Sequence, residues 1–173
     1  VGLGISALGL LWAASLDLLF AGIVFAGLFF DVVVYTIWLK RKTAWSIVWG
    51  GISGGMPILA GRALGIGAID EVGILFMFGI LFWIPTHILT FSIKYAADYA
   101  DADVPTFPSS YGVGATRIII SISSFIAAFS MLLSGVMMDL GAGYLRLILV
   151  LAAGLLGLAM STIFTPSERI NFG

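Results

Sequence analysis

Cysteine is absent from this chain of 173 residues, which excludes disulfides and thiolate metal sites and leaves the redox compartment unreadable. Charge is scarce: 8 Lys and Arg stand against 9 Asp and Glu, 10% of the residues together, where soluble domains carry about 25%. A soluble globular fold is excluded on that ground. Histidine occurs once, so haem ligation by a histidine pair from this segment is excluded too. The formal net charge of −1 says little about partners; no nucleic-acid partner is expected.

What is abundant is apolar. Hydrophobic residues make up 61% of the chain, and the mean hydropathy is +1.15. This is the composition of a polytopic membrane protein. Backbone polar groups in hydrocarbon must be satisfied within the segment, so the expected fold is an all-α transmembrane bundle. A span takes about 20 residues. Residues 1–14 read as a short, partial span, and 16–39, 45–64, 72–93, 114–138 and 143–164 as complete ones. That makes five or six helices in one transmembrane domain covering 1–173, with 94–113 a long polar loop. The chain opens at Val1 inside an apolar run with no basic stretch before it, so a signal peptide is not expected. A fragment of a longer chain is expected, a natural small protein being the plainer alternative.

The placement of charge assigns sides. The loops holding Lys40, Arg41, Lys42, Lys94, Arg117 and Arg169 fall on one side, and only Arg62 and Arg146 on the other. By the positive-inside rule the 40–42 and 94–113 loops both face the cytoplasm, and the plasma membrane of a prokaryote is the expected location. Gly50 to Gly55 reads Gly-Gly-Ile-Ser-Gly-Gly, two overlapping small-xxx-small pairs that point to close helix packing. Gly51 and Gly55 would also leave room for a substrate.

Residues 94–108 read KYAADYADADVPTFP. Asp98, Asp101 and Asp103, three of the nine acidic residues, fall within six positions there. Like charges so close repel unless a cation neutralises them, and Mg²⁺ is the hard, oxygen-loving candidate that bridges carboxylates to phosphate-bearing substrates. With the basic run at 40–42, the chain holds both parts of a diphosphate site, metal-holding acids and cationic oxygen-binders. The alternative is a solvated loop whose aspartates cap a turn. If the helix ending near Ile93 continues, His87, Thr90, Lys94, Asp98 and Asp101 share one face. Pro105 and Pro108 then end any helix and set the loop's exit.

Asp31 lies deep in an apolar span, where an ionisable residue is a functional candidate by default. It shares a helical face with Tyr35 and Trp38; the alternative is a structural interhelical hydrogen bond. Asp17 sits at the opposite interface and is expected to be structural. His87 follows Pro85, which is expected to kink its helix, and a substrate-orienting or packing role suits it better than ligation. Among 18 Phe and Trp residues most will be core or lipid-facing. Trp83, Tyr95, Tyr99 and Phe107 are the aromatics best placed near the acidic loop, where π faces would stabilise a carbocation.

Tyr-Thr-Ile-Trp-Leu-Lys-Arg at 35–41, Trp-Ile-Pro-Thr-His at 83–87, the 94–108 stretch and Pro-Ser-Glu-Arg-Ile-Asn-Phe at 166–172 together resemble the UbiA superfamily of intramembrane prenyltransferases. Within it the resemblance is to the protohaem IX farnesyltransferase (haem O synthase) branch, over nearly the whole chain. It implies a nine-helix bundle with two aspartate-rich motifs that bind a prenyl diphosphate through Mg²⁺ over a central cavity. Asp98, Lys94 and Tyr95 carry over to the second motif, and Lys40 and Arg41 to the cationic loop. Position 102 is Ala where many members carry the second carboxylate, so Asp101 or Asp103 would substitute, and Asp103 stands where glycine is usual. Catalytic weight is thus expected on Asp98, Asp101 and Lys94, and metal binding on Asp98, Asp101 and Asp103. Substrate contacts are expected from Lys40, Arg41, Tyr35, Tyr95, His87 and Asp31. The first motif and the last helix are not in this sequence, and the segment alone is not expected to turn over.

The resemblance implies transfer of a farnesyl group from farnesyl diphosphate to haem b, giving haem O. A quinone precursor, another aromatic or an archaeal lipid is the alternative acceptor. A membrane transporter using Asp31 and His87 as a proton relay is a more distant reading. No inverted repeat is visible, and the charges gather at one surface instead of the midplane.

Overall fold

A computed structural model describes residues 1–164; Arg169 and the 166–172 motif lie outside the described residues. Helix α1 (Gly2–Leu16) ends at Asp17, whose carboxylate caps α2 (Leu18–Phe29) by accepting from the Phe20 N–H at 2.8 Å. The structural role expected for Asp17 is therefore an N-cap. α2 continues without interruption into a π-helical segment, Phe30–Leu39. Then follow α3 (Ser46–Ile66), α4 (Glu71–Lys94), a short α5 (Ala96–Asp101), α6 (Phe107–Met137) and α7 (Ala142–Phe164). No strand occurs among the described residues, and the all-α expectation holds.

Leu18–Leu39, Glu71–Lys94, Phe107–Met137 and Ala142–Ser161 are each long and apolar enough to cross a membrane. Helix α3, 21 residues long and so roughly 31 Å at about 1.5 Å per residue, is not among them. Its many glycines and Arg62 dilute its hydropathy. Those glycines have a packing function. A methyl group on Gly51 would stand 2.8 Å from Leu81 Cδ1, and one on Gly55 would stand 2.7 Å from Met77 Cγ. α3 thus lies against α4 closely enough that side chains at these two positions would collide, as small-xxx-small spacing permits.

α4 is the central helix, with its most extensive contacts to α6 and α3, and α7 packs on α6. One apolar cluster joins α2 to α3 through Ile23, Leu59, Ala60 and Ala63. A second, of Ala44, Leu89, Phe107 and Ile120, gathers the α2–α3 loop, α4 and α6 at the other end. α6 buries Ser121, Ser123, Ser124, Ser130 and Ser134. Ser121 donates to the Ala159 carbonyl of α7 at 3.1 Å and Ser124 pairs with Thr86 of α4 at 3.0 Å, the interhelical bonding that makes hydroxyls tolerable in hydrocarbon.

Four expectations change. α4 does not run on into the acidic segment: Tyr95 (φ −105°, ψ 31°) separates it from α5. His87, Thr90 and Lys94 therefore share one helix, while Asp98 and Asp101 sit on another. The segment 94–113 is not irregular, since it holds α5 and the first turns of α6. Pro108 opens α6 instead of ending a helix; in a first turn its missing N–H has no partner to lose. Arg117 lies within α6 and not in a loop, and its Nε is buried with no hydrogen-bond partner among the described residues.

Candidate functional site

The acidic segment closes in a specific way. The Asp103 N–H bonds the Ala100 carbonyl at 3.1 Å and the Val104 N–H the Tyr99 carbonyl at 3.0 Å. This is a Schellman motif, whose penultimate residue must be left-handed. Asp103 occupies that place with φ +52°. Glycine adopts such a conformation at no steric cost, which is the physical reason it suits this position. The chain then turns through Pro105 into Thr106, which caps α6 in a reciprocal pair with Ser109.

This turn brings Tyr99 and Val104 to face the other loop. Together with Tyr35, Lys40, Ser46, Ser92 and Thr106 they line a cavity of about 180 Å³, floored by Leu89 and Phe107. It is the place where the basic loop and the acidic segment meet. Tyr35, half buried, lies against Gly50, and the Lys40 ammonium stands 5.8 Å from its ring centroid. Trp45 steadies the rim: its indole N–H donates to the Tyr111 hydroxyl at 3.0 Å and its ring meets Phe107 edge-on at 4.9 Å.

Asp98 and Asp101 are on adjacent turns of α5, both exposed, as is Asp103. Among the described residues no three His, Asp or Glu side chains are arranged to hold a metal together. The donor set still suits Mg²⁺, which keeps several waters and takes one or two carboxylates plus substrate phosphates instead of an all-protein cage. Lys94 ends α4, its ammonium 5.5 Å from the Tyr95 ring centroid. Arg41 is exposed in the basic loop.

Asp31 and His87 occupy different faces. Asp31 lines an open groove of about 310 Å³ between α2 and α3, together with Ser53, Gly54 and Pro57, and the Ser53 hydroxyl stands 3.5 Å from its Oδ1. His87 is exposed on α4, stacked on Trp83 at 5.3 Å and edge-on to Phe91 at 4.8 Å. Trp38 does not accompany Tyr35 inward; it is 58% exposed, because the wider π-helical turn alters which residues share a face. Of the four aromatics expected near the acidic segment, Tyr99 and Phe107 line the cavity. Trp83 lines instead an apolar cavity of about 360 Å³ between α4, α6 and α7.

Sequence reasoning missed Ser46, Ser92 and Thr106. Each is buried or nearly so in an apolar context, and nothing in their local spacing marks them. The N-cap pattern at Thr106 and Ser109, just ahead of an apolar run, was the one available signal.

Comparison with known proteins identifies the family. The profile of the UbiA prenyltransferase family matches residues 1–169. Protoheme IX farnesyltransferase of Rhizorhabdus wittichii is 37% identical over 163 residues, 91% of this chain and 54% of that protein. The protein of the same name from Pyrobaculum islandicum is 40% identical over 143 residues, 83% of this chain and 50% of its own. That from Korarchaeum cryptofilum is 40% identical over 147 residues, 85% and 48%. The chain spans about half the length of these relatives. No solved structure matches it significantly. The match over nearly its full length, joined to an all-helical membrane architecture, means that the chain belongs to the UbiA prenyltransferase family.

Proposed function

We propose that this chain forms part of a membrane prenyltransferase that moves a farnesyl group from farnesyl diphosphate to haem b, yielding haem O. The observation that carries the reading is the cavity where Tyr35 of the π-helical segment and Lys40 at its end face Tyr99 and Val104 of the acidic segment. An anionic donor head suits its cationic rim, and the relatives named protoheme IX farnesyltransferase support the substrate pair. Both loops lie at one end of the bundle, and the excess of Lys and Arg there argues that this end is cytoplasmic.

Asp98 and Asp101 would hold Mg²⁺, with Asp103 adjacent, and bound Mg²⁺ would offset negative charge on the diphosphate. Lys40, Arg41 and Lys94 supply fixed positive charge for the same oxygens, favouring the charge that grows there as the allylic carbon–oxygen bond breaks. The electron pair leaves with diphosphate. The π electrons of a haem vinyl group then form the new carbon–carbon bond, and water adds to the remaining cationic carbon and loses a proton. Tyr99 and Phe107 line the cavity, and aromatic rings there would favour a passing carbocation. Tyr95, Asp31 and His87 are assigned to substrate positioning. A quinone precursor or lipid acceptor would use the same donor chemistry.

The test uses the full-length protein in detergent with Mg²⁺, farnesyl diphosphate and haem b, and mass spectrometry for hydroxyethylfarnesyl haem. Product that is lost in Asp98→Ala is expected. Donor binding without a haem product would move the proposal to another acceptor, and neither binding nor product would end it.

A further inference from the structure

We propose that Gly50 and Tyr35 form a positioning pair that sets the Lys40 ammonium over the polar cavity; this rests on the prenyl-transfer reading. Two contacts lay the π-helical segment antiparallel along α3: Asp31 meets Ser53, and Tyr35 lies flat on Gly50. The long Phe30 ring also reaches Trp49 and stacks on it at 6.1 Å and 11°. A methyl group on Gly50 would stand 3.3 Å from Tyr35 Cδ2 and 3.5 Å from both Cε2 and Cγ. That is contact with the ring plane, not with a movable tip. The segment then closes with the Lys40 N–H on the Tyr35 carbonyl at 2.8 Å, a five-residue step that a regular α-helix lacks and that recurs at functional sites. The same step carries the Lys40 side chain back over the Tyr35 ring, 5.8 Å from its centroid, within cation–π range.

The consequence is a chain of placement. Gly50 has no side chain, so the Tyr35 ring lies close to α3. The ring in turn gives an exposed, flexible lysine a preferred place at the mouth of a cavity it shares with Tyr99 and Thr106. Gly50 touches neither substrate nor metal in this account, and its effect passes through Tyr35 to donor affinity. A residue that merely supports the fold would lower thermal stability without a selective change in the KM of one substrate.

The experiment, on the full-length protein, measures KM for farnesyl diphosphate, KM for haem b, kcat and the thermal midpoint, together with Mg²⁺-dependent binding of labelled farnesyl diphosphate. Gly50→Ala should raise the donor KM and dissociation constant about three- to tenfold, the range a partly exposed cation–π contact supports, with the acceptor KM unchanged. Tyr35→Leu should do the same, and adding Gly50→Ala to it should change nothing further, because the ring that the methyl group displaces is gone. Gly61→Ala, on the same helix with nothing within 4 Å, should leave the donor KM alone. Additive effects of the two substitutions, or a Gly50→Ala protein with wild-type donor affinity, would overturn the inference while the prenyl-transfer reading stands. Should Gly50→Ala fail to fold, Tyr35→Leu alone and the relieved double variant carry the same test. A wild-type protein that binds no farnesyl diphosphate would overturn both.

Discussion

The backbone carbonyl of Leu81 faces Gly51. Pro85, four residues on, has no N–H to give that carbonyl and its ring crowds it, yet α4 continues through both. A methyl group on Gly51 would stand 3.1 Å from the carbonyl oxygen, as well as 2.8 Å from Leu81 Cδ1. The glycine thus leaves space for a group that the proline has released. Gly51→Ala forces α3 and α4 apart, and overpacking of this kind costs about 1–3 kcal/mol. A thermal melt in detergent should show the loss, and Gly65→Ala, with nothing within 4 Å, should not.

Asp103 predicts the opposite sign. With φ +52° at the Schellman position, an L-residue bears a strain that glycine escapes. Asp103→Gly should stabilise the protein by up to about 1 kcal/mol, and Asp103→Val should destabilise it. Thermal midpoints in Mg²⁺-free buffer read the backbone effect. The Mg²⁺ dependence of turnover on the same variants reads any loss of an oxygen donor separately. Asp139, at φ +53° with the same pair of bonds after α6, should answer glycine in the same direction.

Asp70 gives a pH dependence at the opposite end of the bundle. The Arg62 guanidinium, 2.6 Å away, and the Gly73 N–H hold its carboxyl below the usual carboxylate range. A lowered folded pKa contributes stability above the unfolded value of about 3.9, and that contribution disappears as pH falls through the folded value. Asp70→Asn keeps a cap for α4 but loses the ion pair, so its thermal midpoint should vary less between pH 5 and pH 3, on the order of one carboxylate's worth, than that of wild type. Identical acid limbs would refute the assignment.

The long membrane-crossing helices were legible because about 20 apolar residues between polar turns leave the backbone no other solution in a bilayer; the short α5 was not. The pairing of the 40–42 loop with the acidic segment followed from counting spans. Gly51 and Gly55 were legible from spacing alone. The break at Tyr95 was not, because Ala-Ala-Asp-Tyr-Ala favours helix on either side and only the tertiary path to Phe107 interrupts it. The π-helical register of Phe30–Leu39 carries no composition signal either. It is what moved Trp38 away from Tyr35 and placed Tyr35 against Gly50. Asp31 and His87, joined by depth in the sequence, lie on the π-helical segment facing α3 and on an exposed ladder of α4 rings.

Asp98 and Asp101 carry the metal prediction. They lie three residues apart on α5, so each can reach a common ion without the other, and neither is buried. On the proposed reading, losing one of the two carboxylates should weaken binding of Mg²⁺ with diphosphate, and losing both should remove the carboxylate donors on this helix. Asp98→Asn or Asp101→Asn should lower kcat on the order of 100-fold, as removal of a single preorganised charge does elsewhere, and raised Mg²⁺ should recover part of it. The double variant should not recover at any Mg²⁺ concentration. Chelation of wild type should abolish turnover reversibly while leaving the helical circular dichroism unchanged, because the α5 turn is closed by its own backbone bonds from Asp103 and Val104. If chelation melts the helices instead, the ion is structural, and Asp98 would have to be reassigned from donor binding to holding the acidic segment in place.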